Sequence, residues 1–274
     1  MALLSIVVPN YNYGRFADRF FGSIVAQKMD LNEVEIIFVD DGSDDDSLQF
    51  AHKWADKIQC KRFEILTPAR CGKPGPVRNY GLERAEGRYL ICLDPDDYLE
   101  PEFLSSCIET LEQNPELDLV YTDYKENSQD SSRIVNLPKF SPAHLRSQNT
   151  IAPSALYRSK LWDGGVRYRD NTLYEDWDFW VQCLVAGAKF QLIPQVLYNY
   201  EVHGANFSLQ AVKSDGAAKA QIVLNNPTFF NSIVYEWAGA HLRGRLHASA
   251  FQRGCIPRPI DIKALLLKMD SGEI

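Results

Sequence analysis

The sequence lacks any apolar run close to the ~20 residues that a membrane-spanning helix needs. Residues 1–9 have the pattern of a β-strand and not that of a cleavable signal peptide. We therefore expect the protein to be cytoplasmic.

Closely spaced cysteines are also missing. The six cysteines lie far apart in the chain and form no CxxC pair, so neither a zinc site nor a disulfide framework is indicated. We expect reduced and mostly buried thiols at Cys60, Cys71, Cys92, Cys107, Cys183 and Cys255.

The sequence has no surplus of positive charge. Its net charge is −7, whereas a nucleic-acid-binding protein needs a dense basic surface, so we expect no nucleic-acid partner. The charge is unevenly spread, because residues 1–214 hold 22 Lys and Arg against 31 Asp and Glu, while residues 215–274 hold 7 against 5. The slightly basic tail is compatible with a membrane surface or an anionic acceptor.

Strands and helices alternate through the first hundred residues. Short runs of β-branched and apolar residues predict buried strands, and the segments between them have helical spacing. This alternation is typical of an α/β fold with a parallel sheet. The predicted strands are residues 3–9, 35–39, 63–66 and 90–93, and the predicted helices are residues 15–28, 47–57 and 77–85.

The remainder of the chain continues with mixed elements. Residues 125–142 are polar and without a pattern, and are predicted to form a loop. The other predictions are helices over 101–113 and 173–186, strands over 117–124, 190–192 and 196–200, and two or three helices after residue 211.

Three carboxylates follow the strand over residues 90–93. Asp94, Asp96 and Asp97 surround Pro95, which cannot continue a paired central strand, so the acids lie on a turn at the strand's carboxyl end. Like charges this close are unfavourable unless a cation joins them, and oxygen ligands at this density suit Mg²⁺ or Mn²⁺. The alternative is an acidic turn that is merely solvated.

Polar side chains follow two further strands of the predicted sheet. Asn10-Tyr11-Asn12 ends the first strand, and Asp40-Asp41 ends the second. In parallel sheets ligands bind in the crevice at the carboxyl ends of the strands, so these residues and the acids at 94–97 should converge on one crevice.

A second acidic segment lies at the start of the helix predicted over residues 173–186. Glu175, Asp176 and Asp178 lie in its first turn, where acids complement the helix dipole, so part of this cluster has a structural explanation.

Four separated motifs together resemble the inverting, family 2 type of nucleotide-sugar glycosyltransferase with a GT-A fold. They are SIVVPNYN (5–12), VDDGSDD (39–45), VRNYGLERAEGRYLICLDPDD (77–97), and EDWDFW (175–180) with YEVHGANFS (200–208). Their order and spacing agree with the family over residues 3–208. The resemblance implies a mostly parallel central sheet flanked by helices and a catalytic domain over residues 1–210. Residues 211–274 lie outside the resemblance and are expected to form a helical extension on the acceptor side.

The resemblance implies a set of donor-binding residues in the first part of the chain. Pro9 and Tyr11 would flank uracil, and Asp41, with Asp40 as its alternative, would accept the N3–H, since a carboxylate only accepts hydrogen bonds. Packing of Tyr11 and helix capping by Asp40 remain open alternatives.

The acidic turn would hold the diphosphate end of the donor. Asp97 would bind Mn²⁺ or Mg²⁺, Asp96 the ribose or the metal, and His203 the metal or the diphosphate, although a lone histidine is as often structural. Asp94 and Arg78 are the predicted supporting residues, and they could pair with each other. Lys73 is a predicted nucleotide-binding residue. Lys73 and Arg78 would face the phosphates or the turn, and a surface role is the alternative for each.

By the same resemblance, Asp176 is the catalytic base. It would take the proton of the attacking acceptor hydroxyl, and Glu175 would help to place the acceptor or the base. Asp178 lies two residues further along the helix and is expected to be structural.

Other enzyme and binding classes fit the sequence less well. A haloacid dehalogenase-type phosphatase would use Asp94-x-Asp96, but that motif normally continues with Thr or Val where this chain has Tyr98. The acids at 40–46 lack the EF-hand spacing. A nucleotidyltransferase would carry a Gly-rich phosphate loop after the first strand, and none is found. A catalytically inactive sugar-nucleotide-binding module stays open.

The resemblance leads to one functional expectation. We expect a metal-dependent transferase that moves a sugar from a UDP-sugar, or its dTDP counterpart, to a hydroxyl of a glycan or glycolipid acceptor in bacterial surface polysaccharide assembly. The tail carries an apolar stripe that would pack on the core, form a homodimer or contact a membrane, in that order of preference. Its residues are Ile262, Leu265, Leu266 and Met269.

Overall fold

The computed structural model describes residues 2–152, 154–204 and 206–271. The chain divides into two compact units, each built from three segments of sequence. The first unit comprises Met1–Lys139, Ile151–Tyr168 and Ala188–His203. The second unit comprises Phe140–Thr150, Arg169–Gly187 and Gly204–Ile274.

The first unit contains a nine-stranded sheet, whose main path has the order β3-β2-β1-β4-β8-β6-β9-β5, with β7 added beside β6. The pairings make six strands run in one direction (β1 to β4, β6 and β9) and three in the other. The strands are β1 Leu4–Asn10, β2 Val34–Asp40, β3 Arg62–Leu66, β4 Tyr89–Cys92, β5 Tyr98–Leu99, β6 Leu119–Ser128, β7 Ser132–Val135, β8 Leu156–Arg158 and β9 Phe190–Val202.

Five helices belong to the first unit and flank this sheet. They are α1 Ala17–Val25, α2 Ser47–Ala55, α3 Pro74–Leu82, α4 Phe103–Gln113 and, after α5 of the second unit, α6 Lys160–Asp163. The fold class predicted from the sequence, a mostly parallel sheet with flanking helices, is therefore confirmed.

Side-chain alternation along β1 places helices on both faces of the sheet. Leu4, Ile6 and Val8 point into an apolar core together with aromatic residues of α1 and α4. On the other face, α3 lies so close that a Cβ added to Gly81 would be 2.5 Å from a methyl group of Val7. Only glycine allows this approach between helix and sheet.

The second unit is helical throughout its regular structure. Its helices are α5 Pro142–Ser147, α7 Glu175–Val185, α8 Ser208–Lys213, α9 Asp215–Asn225, α10 Ser232–Leu242 and α11 Pro259–Asp270. The prediction of helices after residue 211 is confirmed for the described part of the tail, whereas the division into domains at residue 210 stays a prediction. Within the described residues, no helix is long and apolar enough to cross a membrane.

The structure corrects three details of the sequence analysis. Residues 125–142 are not a loop throughout, because β6 continues to Ser128 and pairs with β7. The two strands predicted over 190–200 are one strand, β9, whose register shifts beside Pro194, a residue without the N–H that a regular ladder needs. The thiols of Cys71 and Cys255 are exposed, while three of the six cysteines are buried.

Candidate active site

The carboxyl ends of β1 and β2 are neighbours in the sheet, since Asn10 is paired with Asp40. The Asn10 amide donates to Asp40 Oδ1 at 2.8 Å, and the Ser43 backbone N–H donates to Asp40 Oδ2 at 2.9 Å. Asp40 is buried, and both of its oxygens are used within the turn. Asp40 therefore holds the turn after β2 and does not cap a helix, because α2 begins only at Ser47.

Asp41 connects the end of β2 to the segment that precedes α3. Its Oδ1 accepts the N–H of Cys71 and its Oδ2 accepts the N–H of Gly72, both at 2.7 Å. Each carboxylate oxygen has two lone pairs, so Asp41 retains the capacity to accept another N–H.

Tyr11 lies on the turn after β1, and its side chain is not packed in the core. It is 36% exposed, and the guanidinium of Arg70 lies 4.2 Å from its ring centroid. The alternative of a packed aromatic residue is therefore not what the structure shows. Pro9 is buried within β1, and Lys73 is exposed at the start of α3.

Asp94 forms the ion pair with Arg78 that the sequence analysis considered. The guanidinium Nη2 lies 2.8 and 3.0 Å from the two carboxylate oxygens, and Arg78 itself is buried. The charge of Asp94 is thus balanced within the protein, which agrees with a supporting role.

Asp96 and His203 are brought together although 107 positions separate them in the sequence. His203 Nε2 lies 2.9 Å from Asp96 Oδ2. Burial raises the pKa of Asp96, and the bond to His203 opposes that rise. His203 Nδ1 lies 3.3 Å from the guanidinium of Arg15, which can only donate, so in this arrangement Nδ1 accepts and Nε2 carries the hydrogen.

Asp97 points away from this pair and anchors the turn to β9. One of its oxygens accepts the hydroxyl hydrogen of Tyr198, and the other accepts the N–H of Glu201 at 2.8 Å. Burial, and then the charges of Asp96 and Asp94, raise the pKa of Asp97 well above its ordinary value. These two bonds anchor the turn to β9, and each oxygen keeps a second lone pair, as in Asp41.

The structure brings two of the three predicted metal ligands together. Among the described residues there is no group of three His, Cys, Asp or Glu side chains arranged to hold a metal ion. Mg²⁺ and Mn²⁺ at phosphate-transfer sites typically take one or two carboxylates and complete their shell with substrate phosphates and water, so the carboxylate of Asp96 fits such an ion. His203 Nε2 can join it only after losing the hydrogen that it shares with Asp96.

The second unit carries Glu175 and Asp176 at the start of α7. Glu175 is buried and Asp176 is half-buried. Asp176 Oδ1 accepts the N–H of Trp177 at 2.7 Å, and its Oδ2 accepts a hydrogen bond from the Asn149 amide at 2.9 Å.

Asp178 is structural, as expected. Its side chain is fully buried and lies 3.1 Å from the guanidinium of Arg169. The amides of Asn226 and Gln182 donate to it at 2.8 and 3.0 Å. Burial raises the pKa of Asp178, and Arg169 is the main influence that opposes the rise.

Four residues at these sites were not predicted from the sequence, namely Arg15, Arg70, Tyr198 and Asn149. Arg15 lies in a one-turn 3-10 helix and Arg70 in the loop before α3, and arginine is common at such positions on any protein surface. Tyr198 and Asn149 contact the acids only through the fold, and no spacing in the sequence links them to Asp97 or Asp176.

Comparison with known proteins gives consistent matches. The family model described as Glycosyl transferase family 2 matches residues 5–175, more than half of the chain. Poly(ribitol-phosphate) beta-N-acetylglucosaminyltransferase TarS of Staphylococcus aureus is 27% identical over 177 residues, which cover 64% of this chain and 30% of TarS. Chondroitin synthase of Pasteurella multocida is 28% identical over 76% of this chain and 21% of its own length. The chain thus spans less than a third of these relatives.

Two solved structures share the fold. The structure of TarS residues 1–349 in complex with UDP-GlcNAc superposes with a TM-score of 0.69 at 21% identity, covering 92% of this chain and 74% of the other. The mannosyltransferase PcManGT from Pyrobaculum calidifontis, in complex with GDP-Man and Mn²⁺, gives 0.64 at 16% identity, covering 98% and 79%. At these identities the likeness establishes the GT-A type of fold.

Proposed function

Because this chain belongs to glycosyl transferase family 2, we propose that it transfers a sugar from a nucleotide-sugar donor to an acceptor hydroxyl with inversion at the anomeric carbon. The observation that carries the proposal is the arrangement at neighbouring strand ends of the first unit. Asp41, Tyr11 and the pair of Asp96 with His203 supply an N–H acceptor, an aromatic face and a cation-binding pair. A phosphatase would need none of the nucleotide-facing groups, and the family match gives it no support.

The proposed donor is a UDP-sugar. Asp41 can accept the imide N–H of uracil, and the exposed ring of Tyr11 offers a surface on which a base can stack. A bound UDP-GlcNAc in the TarS structure supports the choice of uracil, although PcManGT carries GDP-Man on a similar fold. A dTDP-sugar carries the same imide group and is the alternative donor.

We propose that Asp96 and His203 hold the divalent ion, Mn²⁺ or Mg²⁺, and that Asp97 fixes the turn on which Asp96 lies. When bound, such an ion stabilises the negative charge that develops on the diphosphate leaving group. Of the two acids expected at the metal, Asp96 and Asp97, Asp96 is thus the proposed ligand. Asp94, with Arg78, supports the same turn, and Lys73 is proposed to face the phosphates.

Asp176 is the proposed catalytic base. Its carboxylate takes the proton of the acceptor hydroxyl while the hydroxyl oxygen bonds to the anomeric carbon. The bond between that carbon and the diphosphate oxygen breaks, and the diphosphate leaves with the electron pair. Glu175, which is buried beside the base, is proposed to help position it.

The proposed setting is the assembly of a surface polysaccharide or glycolipid. The support comes from the relatives, whose names describe enzymes that act on poly(ribitol-phosphate) or synthesise chondroitin.

We also propose that α11 lies against an anionic lipid surface. Ile260 and Leu267 are about 70% exposed (67% and 70%) on the face opposite the buried Ile262, and the exposed Lys263 and Lys268 flank them. Neither lysine forms an ion pair within residues 206–271 as described.

A second copy of the chain fits this face less well than a lipid surface does. Two copies joined through it would bring their lysines together, and a stripe of two large side chains is too small for a stable dimer, which needs roughly 800 Å² per partner. Cations beside an apolar stripe suit anionic headgroups.

Flotation with lipid vesicles tests the lipid contact. The wild type should float with phosphatidylglycerol-containing vesicles at low salt and should not float with pure phosphatidylcholine. The double variant I260S/L267S should lose most of the binding, whereas V212S, at an exposed site outside α11, should keep it. Equal flotation of the wild type and the double variant, or none by either, would contradict the proposal.

The principal test of the proposed reaction is Asp176→Asn. We expect transfer to fall by roughly 10²–10⁴-fold, as for the loss of a general base, while calorimetry shows unchanged affinity for UDP. Asp270→Asn, at an exposed site of the same unit, is the matched control and should keep wild-type turnover. Wild-type turnover by Asp176→Asn would rule out Asp176 as the base.

A further inference from the structure

The C-terminal helical region has no motif that carries chemistry, yet it makes specific contacts around Asp176. The family match ends at residue 175, so the residues of α9 and of the segment 254–256, which bond the segments on either side of Asp176, lie beyond it. All of these contacts are within the second unit.

The first set of contacts reaches Asp176 through the segment after α5. Asn149, half-buried, donates from its amide to Asp176 Oδ2 at 2.9 Å. With Oδ1 bonded to the Trp177 N–H, this bond fixes the rotation of the carboxylate. A base must present one defined lone pair to the proton that it takes, so its orientation matters as much as its presence.

Residues of the C-terminal region hold the segment that carries Asn149. The carbonyl of Ser147 accepts the N–H of Ile256 at 2.8 Å, and Ile256 is buried. Arg146 donates to the carbonyl of Phe229 at 2.9 Å, and its guanidinium lies 4.5 Å from the centroid of the Phe229 ring. The segment before Asn149 is therefore bonded at two points.

The second set of contacts holds Tyr174, two residues before Asp176. The Tyr174 hydroxyl donates to Asp215 Oδ1 at 2.9 Å. Burial, and then the bond to Asp215, raise the pKa of the Tyr174 phenol, so it stays a donor. The Lys219 ammonium lies 2.9 Å from Asp215 Oδ2, although Lys219 is only 1% exposed.

Both sets of contacts meet at residues 254–256. Lys219 also donates to the carbonyl of Gly254 at 2.6 Å, and the Gly254 N–H donates to Asp215 at 3.1 Å. Gly254 has a φ of +84°, a conformation that other residues rarely adopt. A buried ion pair adds little net stability, but it fixes geometry, because each partner alone would be left uncompensated.

We propose that the C-terminal region from α9 to Ile256 positions Asp176, with Asn149 as the orienting residue on one side and Tyr174 on the other. Asp215, Lys219 and Gly254 connect the two sides. This inference rests on the proposed role of Asp176 as the base. It gives the part of the chain beyond the family match a function in the same reaction.

The test compares variants of Asn149 and Tyr174 in the full chain, assayed by steady-state transfer. Asn149→Ala should lower kcat by roughly 10–100-fold, as expected when a reacting group is misplaced by about 1 Å, with the donor KM unchanged. The acidic limb of its pH–rate profile should move to higher pH, since a hydrogen bond to a carboxylate favours the charged form. Asn149→Asp, of equal size but without a donor, should lose at least as much activity. Tyr174→Phe should lose roughly 3–10-fold by the same reasoning.

Asn231→Ala is the matched control. Asn231 is an asparagine of the same unit that caps α10, so its loss costs about 1 kcal/mol of stability without touching Asp176. If Asn149→Ala and Tyr174→Phe show the wild-type kcat and pH profile, or change only as Asn231→Ala does, the positioning role is wrong. The proposed function is tested separately, because an active Asp176→Asn would refute the base, whereas an inactive Asp176→Asn beside active Asn149 and Tyr174 variants would refute only the positioning.

Discussion

The two acidic segments of the chain, residues 94–97 and residues 175–178, differ in how the protein balances their buried charge. In the first segment, Asp94 has the guanidinium of Arg78, and Asp96 has the imidazole of His203. Asp97 is bonded to a phenol and a backbone N–H, neither of which carries a positive charge. Burial and the neighbouring acids therefore raise the pKa values of both Asp96 and Asp97.

The second segment has a counter-charge where its burial is deepest. Asp178, fully buried, faces the guanidinium of Arg169 and two amides. Burial raises the pKa of Asp178 as well, but Arg169 opposes the rise, whereas the charges around Asp97 add to it.

This difference distinguishes a segment whose carboxylates favour cation binding from a segment whose buried charge is compensated within the protein. Crowded carboxylates without full compensation are stabilised when a divalent ion arrives. A catalytic base, by contrast, needs an ionised and oriented carboxylate that no metal occupies. In the second segment Arg169 and the two amides compensate the charge of the buried Asp178, the acid next to the proposed base. The contrast agrees with the proposed metal binding at residues 94–97, where Asp96 and Asp97 face no permanently charged cation, and with the proposed proton transfer at Asp176.

The largest expected effect that tests this comparison is the loss of transfer when the divalent metal is removed. We expect EDTA to abolish transfer and added Mn²⁺ or Mg²⁺ to restore it. Asp96→Asn should lower the Mn²⁺-dependent affinity for UDP by at least about tenfold in calorimetry, because it removes a charged ligand. Asp97→Asn should lower that affinity much less, because Asp97 contacts Tyr198 and Glu201 and not His203.

Asp96→Asn and Asp97→Asn together show which of the two neighbouring acids binds the metal. If Asp97→Asn loses metal-dependent UDP affinity while Asp96→Asn retains it, the ligand assignment reverts to Asp97. If neither variant changes the affinity, residues 94–97 are an acidic turn without a metal, and the comparison fails.

Much of the fold and part of the site follow from the sequence. The alternation of strands and helices predicts the parallel half of the sheet, and strands that share a direction bring their carboxyl ends together. Asp41 and Asp96 could be expected at one crevice for that reason alone. The antiparallel pairing of β6 with β7 was not predicted, because residues 125–128 and 132–133 of these strands are all polar and give no period-2 signal.

The sequence does not say which acid in a turn is buried. Asp96 and Asp97 are adjacent and chemically alike, and their difference arises from Tyr198 and Glu201 on β9, about a hundred residues later. The same limit applies to Asp176 and Asn149, which meet only because the second unit assembles three separate segments. The roles of these acids depend on partners that are distant in the sequence, and the local sequence pattern carries no information about those partners.

The smallest expected effect concerns the dependence of stability on pH. Burial raises the pKa of Asp178, so the folded state holds this proton more tightly than the unfolded state. The contribution of the carboxyl to stability is therefore fully present below the pKa of an unfolded aspartate, and it is lost as the pH rises through the folded-state pKa. Asp178→Asn should remove the part of the slope of stability against pH that this carboxyl causes, a change on the order of 1 kcal/mol in the free energy of unfolding, measured by denaturant titration between pH 4 and pH 7.

Asp97→Asn should remove a larger part of the slope, because the charges of Asp96 and Asp94 add to the effect of burial there. Asp270→Asn, at an exposed site, should leave the slope unchanged. A larger change for Asp178 than for Asp97 would contradict the view that residues 94–97 are the uncompensated segment.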